Sequence, residues 1–238
     1  MSKVSGSHKR LRAKVLEILS SSKTFDEAMA LLDKIPAKKA INPLISQFYH
    51  SDDKVRWWAI SAFGRAVARL AEKDIESARI IMRRLMWSLN DESGGIGWGA
   101  PEAMAEAMVQ NATLAEEYVR ILLSYVWEDG NFLEHDPLRK GALWGIMRLS
   151  DVRAMLLKKY DAADFIRPYL LDQDVESKAI SILAIKNVGD ATDCSTLSNL
   201  SKETNQNAQR LKIYKGDGEF MEDTFSSLLE DIQKVLCV

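Results

Sequence analysis

Along most of the chain, apolar residues recur at the three- and four-residue spacing of a helix face. Val15, Leu16, Ile18 and Leu19 form one such stretch, and Ile80, Ile81, Leu85 and Leu89 another. Alternating strand patterns are nearly absent. The one candidate is Leu211–Tyr214 with Glu219–Met221 around Lys215-Gly-Asp-Gly218, which predicts a short hairpin. Polar turns separate the helical stretches: His50–Asp53, Asn90–Gly95, Glu128–Asp136 and Asp172–Asp174. Asp and Ser in these turns suit the start of a following helix, where their side chains accept its free amide hydrogens.

Four segments that follow these turns align on one register. They are Val55–Arg65, Ile96–Glu106, Leu138–Arg148 and Val175–Ile185. Each opens on an aliphatic residue, carries alanine four places later (Ala59, Ala100, Ala142, Ala179) and a large apolar residue eight places later (Phe63, Met104, Ile146, Leu183). The openers stand 41, 42 and 37 residues apart, a period in or near the range of helical-hairpin solenoids. Each unit is therefore read as helix A, turn, helix B. The A helices are Ala40–Tyr49, Ile75–Leu89, Leu114–Trp127 and Ala162–Leu171. Alanine at the B-helix contact lets neighbouring helices approach closely.

Pro43-Leu-Ile, Ser51-Asp-Asp-Lys-Val-Arg56, Ala59 and Ala62-Phe-Gly64 together resemble a HEAT repeat, most of all the short HEAT-like repeats first described in phycobilin lyases. The resemblance covers roughly residues 38–190. It implies an all-α, armadillo-like α-α superhelix of about four to five helical hairpins with capping helices. Gly97 and Glu176 depart from the pattern where the first and third repeats carry Arg56 and Arg139, so the arginine ladder is incomplete. The expected organisation is N-terminal capping helices over 1–37, repeats over 38–190, and a degenerate C-terminal repeat or cap over 191–238.

In such arrays the inner helices line a concave binding face. The third register position gives Trp57, Trp98, Lys140 and Ser177, and the seventh gives Ser61, Glu102, Trp144 and Ser181. Positions four apart share a helix face. The candidate binding surface is accordingly Trp57, Ser61, Arg65, Trp98, Glu102, Lys140, Trp144 and Arg148. Seam packing is the competing role for each tryptophan taken singly, but Trp and Arg are also the types enriched at interface hot spots. Glu102, set among tryptophans, is the carboxylate whose acidity burial would weaken, as acid–base work requires.

Composition narrows the classes. With 238 residues, 47% hydrophobic, there is ample core. Lys and Arg number 32 against 34 Asp and Glu, which excludes a strongly basic nucleic-acid tail. No apolar run is long enough to span a membrane, and Met1–Arg12 lacks the apolar centre of a secretory signal, so a cytoplasmic location is expected. Cys194 and Cys237 are too few for a disulfide framework or a structural zinc site. The glycine-rich turn Asp91–Gly99 matches neither the phosphate loop nor the dinucleotide fingerprint. The carboxylate-rich loop Glu128–Asp136, with His135, reads as solvated rather than metal-binding. No catalytic residue, metal or cofactor is assigned, and the sequence does not decide whether the chain is an enzyme.

The leading expectation is a non-catalytic interaction scaffold that holds a protein partner. One alternative is a DNA-binding or base-excising enzyme, since some alkylpurine glycosylases have HEAT-like folds. It would use Glu102 or Glu106 as acid and Arg56, Arg65, Arg69, Arg83, Arg84, Arg139 and Arg148 on phosphates. A tetrapyrrole lyase or chaperone, the other alternative, rests only on the resemblance to phycobilin-lyase repeats.

Overall fold

The computed structural model describes residues 2–90, 97–202 and 208–237, with side chains from residue 8 onward. The glycine-rich turn over 91–96, with the opener Ile96, lies outside the described residues. Helices follow one another along the chain as the periodicity predicts: α1 (Ser2–Ser21), α2 (Phe25–Asp33), α3 (Ala37–Ile45), α4 (Asp53–Ala71), α5 (Ile75–Leu89), α6 (Ala100–Gln110), α7 (Ala112–Ser124), α8 (Asp136–Lys159), α9 (Ala162–Ile166), α10 (Val175–Val188), α11 (Cys194–Leu200) and α12 (Phe225–Leu236). The expected hairpin forms too, as β1 (Arg210–Tyr214) paired antiparallel with β2 (Phe220–Thr224), Lys212 opposite Glu222. The four aligned segments are α4, α6, α8 and α10, each preceded by its A helix. This is an all-α, armadillo- or HEAT-like repeat fold with a small C-terminal sheet.

Two of the four turns cap their helices as their sequence suggests. The Val55 amide donates to Asp52 Oδ1 at 3.2 Å and the Ser177 amide to Asp174 Oδ2 at 3.0 Å. The other two do not: α6 starts on Gly99 and α8 on His135, neither giving a side-chain cap.

The chain divides into two compact units. The first comprises Met1–Ala115 with Gly216–Gly218, the second Glu116–Lys215 with Glu219–Val238. In the first, α4 is central and packs against α1, α2, α3, α5 and α6. Ala59, Phe63, Ala66 and Val67 are buried along it, and Phe48 meets Phe63 edge-on at 5.3 Å. The α4–α6 seam is so tight that a Cβ on Gly64 would stand 2.6 Å from the main-chain carbon of Glu106, so glycine is required there. The helix α2 is fastened over α4 by Asp33, which takes Arg65 at 2.5 Å and Arg69 at 3.5 Å. Trp58 is buried under Phe25, and its indole N–H donates to the Gly218 carbonyl at 3.1 Å. Gly218 has φ 94°, and a Cβ there would strike Phe25 at 2.3 Å.

In the second unit α8 packs on α10, and α10 on α9 and α12. Arg167 gathers Asp164, Asp190 and Asp193 at 2.5, 3.1 and 2.7 Å. Tyr169 donates its hydroxyl to the Val126 carbonyl at 2.8 Å. Cys194 and Cys237 form a disulfide that ties the start of α11 to the end of α12 across 43 residues. Too few for a framework, the two cysteines form a single staple.

Candidate functional site

The eight candidate residues divide between the units. Lys140, Trp144 and Arg148 belong to α8 in the second. There Trp144 is only 2% exposed, lies stacked on Tyr214 at 6.1 Å between ring centres, and donates its indole N–H to the Tyr214 carbonyl at 2.8 Å. It is a core residue roofed by β1, not part of an open surface. Lys140 reaches Asp174 at 2.9 Å and Glu176 at 2.8 Å. Burial opposes its charge, but these two carboxylates outweigh it and hold the ammonium above its ordinary range. Arg148 is half-buried further along α8.

Trp57, Ser61, Arg65, Trp98 and Glu102 belong to the first unit. Ser61 is buried, and Arg65 is committed to Asp33. What stays accessible lies at the starts of the two B helices. Trp57 is half-buried with the Arg56 guanidinium over its ring at 5.5 Å, and Arg56 in turn holds Asp53 at 3.0 Å. Trp98, just before α6, is 40% exposed.

Glu102 sits in the first turn of α6. Its Oε2 is buried and receives no hydrogen bond. Burial raises its pKa to about 7, against the opposing pull of its own main-chain amide and of Arg56. Near neutrality the side chain is poised between acid and carboxylate, which is the state acid–base chemistry or a polar ligand can use. Glu106, one turn on, is fully buried in the α4–α6 seam.

Exposed aromatics also lie outside the register, among them Tyr49, Trp127 and Trp87. Trp87 on α5 is 78% exposed, and Ile80, seven residues earlier on the same helix, is 56% exposed. Both are on an A helix, so a search confined to B-helix positions passes over them. The signal available in sequence was their seven-residue spacing, which places both on one side of α5 together with Arg83 and Arg84.

Among the described residues, no three His, Cys, Asp or Glu side chains converge as a metal site, and no helix is long and apolar enough to cross a membrane.

No family model matches the chain. An uncharacterized protein of Archaeoglobus fulgidus is 32% identical over 111 residues, 46% of this chain and 53% of that protein, so the chain spans about half the length of this curated relative. Among solved structures, a designed armadillo repeat protein superposes with a TM-score of 0.50 at 17% identity, over 94% of this chain and 98% of its own. Another, computationally designed for modular peptide recognition, gives 0.50 at 15% identity, over 95% and 99%. Likeness at that identity establishes the armadillo-like helical repeat fold alone.

Proposed function

We propose that this repeat protein binds a protein partner through the first unit, using Trp87, Trp98 and the group Arg56, Trp57 and Glu102. The observation that carries the reading is the exposure of two indoles in the first unit, Trp87 at 78% and Trp98 at 40%, in a unit where Tyr49 is exposed as well. Exposed tryptophans are costly to hydrate and are the commonest anchors of interfaces. The peptide-recognition purpose of one fold neighbour agrees with such a role, as an analogy at the level of fold.

The nucleic-acid reading is less well supported. A phosphate-binding face gathers unpaired cations. Here Arg56, Arg65, Arg69 and Arg139 are engaged with Asp53, Asp33 and Asp136, and Arg84 bonds the Asn42 side chain at 2.5 Å. The tetrapyrrole reading gains no support from the group around Glu102, which contains neither cysteine nor histidine. The cytoplasmic expectation is not carried forward, because a disulfide persists most readily in an oxidising compartment.

The test is a selection of peptides from a random display library on the full chain and on a Trp87→Ala/Trp98→Ala variant, with fluorescent single- and double-stranded DNA titrated at two salt concentrations. Peptides retained by the parent chain and lost by an equally stable variant support the proposal. Micromolar, steeply salt-dependent DNA binding without peptide selection overturns it in favour of the nucleic-acid reading.

A further inference from the structure

We infer that the first unit also holds an acidic peptide segment, seated in an open groove between α1 and the turn that joins α3 to α4. The groove is lined by none of Trp87, Trp98, Arg56, Trp57 and Glu102, so this contact goes beyond the reading above and stands or falls separately.

The groove has a volume of about 640 Å³, within the size range of ligand clefts. One wall is a single stripe of α1. Lys9, Arg12, Ala13 and Leu16 line it, and their spacing of three, four and seven residues puts them on one side of the helix. The other wall is the turn after α3, where Tyr49 is 62% exposed and His50 half-buried. Arg12 reaches across to the Tyr49 hydroxyl at 3.4 Å.

Among the described residues no carboxylate lines this groove. Lys9 and Arg12 offer hydrogen-bond donors only. His50 accepts the Asp52 amide on Nδ1 at 3.0 Å, which leaves the ring proton on Nε2 and makes it a donor as well. From Lys9 to Lys14, α1 carries four basic residues and no acidic one. Among the described residues, Lys9, Arg10 and Lys14 meet no carboxylate. In a chain with 34 acidic against 32 basic residues, this is a local concentration of unanswered positive charge.

The occupant follows from these walls. Donors without acceptors call for an anion, and Ala13, Leu16 and the Tyr49 ring offer apolar surface between them. A peptide segment with carboxylates flanking an apolar side chain meets both demands. Arg10 and Lys14 carry the positive charge along α1 past the groove, so an extended acidic segment gains more than an isolated anion. A single-stranded nucleic acid fits less well, because such sites stack successive bases on several aromatics, and Tyr49 is the one aromatic lining this groove.

The experiment selects, on the full chain, a display library of short peptides restricted to Glu, Asp, Ser, Leu and Phe. The recovered peptides are then remade with Lys in place of Glu and Asp. The acidic peptides should bind and their Lys counterparts should not. Lys9→Glu with Arg12→Glu should weaken binding by about tenfold or more, and so should Ala13→Trp, which fills the groove without changing its charge. All three positions are exposed, so circular dichroism and melting should match the parent chain. Trp87→Ala with Trp98→Ala should change the affinity less than about twofold, as expected of a separate surface. Recovery of no acidic peptide overturns the inference. So does a loss with the charge reversal but none with Ala13→Trp, which would mean diffuse attraction to α1 rather than seating in the groove. Loss of the acidic peptides with the tryptophan variant also overturns it, while supporting the partner-binding reading. Tighter binding of single-stranded oligothymidylate, abolished by the same charge reversal, overturns it in favour of nucleic acid. Acidic peptides held as predicted, with nothing recovered at the tryptophans, would sink that reading and leave this inference standing.

Discussion

Charged residues on adjacent B helices meet two different fates in the two units. In the second, Lys140 of α8 closes on Glu176 of α10 and on the capping Asp174. In the first, Arg56 of α4 and Glu102 of α6 feel each other's charge but leave Nε and Oε2 unbonded. Trp144 differs from Trp98 and Trp87 in the same way, although Trp58 of the first unit is buried and Trp127 of the second is 37% exposed. Trp144 is sealed beneath Tyr214 with its N–H satisfied, whereas Trp98 and Trp87 present indole surface to solvent. One repeat pattern thus supplies a lysine closed on two carboxylates in one unit, and an arginine and a glutamate with unbonded polar atoms in the other. Unmet demand is what a binding site retains at the expense of stability.

The largest effect expected from breaking this contrast is at Trp144. Trp144→Ala should destabilise the protein by about 3–5 kcal/mol, as for other buried aromatics, whereas Trp98→Ala should change stability by less than about 0.5 kcal/mol. Denaturant titration of both variants checks the pair, and equal effects would erase the distinction between them. Next comes the staple of the second unit. In the chain-entropy picture a disulfide closing 43 residues contributes about 4 kcal/mol, so Cys194→Ser with Cys237→Ser should lower the melting temperature strongly. Calorimetry measures it, and reduction of the parent chain should reproduce the shift. A smaller change is expected in the first unit, where Gly64→Ala forces a methyl against Glu106 and should cost about 1–3 kcal/mol.

Much of this was legible in the chain itself. Helical periodicity and the alanine register located α4, α6, α8 and α10, and the hairpin could be read from Lys215-Gly-Asp-Gly218 because its turn chemistry is local. Glu102 could be singled out because its neighbours in the register are aromatic. Trp144 was placed on the open face because the residue that covers it, Tyr214, lies 70 positions further on, and no register of repeats predicts what a C-terminal hairpin will roof. The disulfide was missed for a related reason: pairing depends on where α11 and α12 come to rest, not on spacing. Trp87 was overlooked because attention to the inner helices discounts the A helices, whose exposed faces can also carry an anchor.

The most direct test of the central claim, that the first unit holds an unsatisfied carboxyl at Glu102 while Lys140 of the second is closed on two carboxylates, is the pH dependence of stability of the parent chain against Glu102→Gln. The folded-state pKa of Glu102 lies near 7, above its ordinary value of 4.5, so the folded protein binds more protons than the unfolded chain between those values. The contribution of Glu102 is therefore most favourable below about pH 4.5 and is lost as the pH rises through about 7. Glu102→Gln should match the parent at pH 4.5 and exceed it at pH 8 by on the order of 1–3 kcal/mol. A variant less stable than the parent at pH 8 would contradict the account, because the ionised carboxylate would then be a structural partner with its bonds already made.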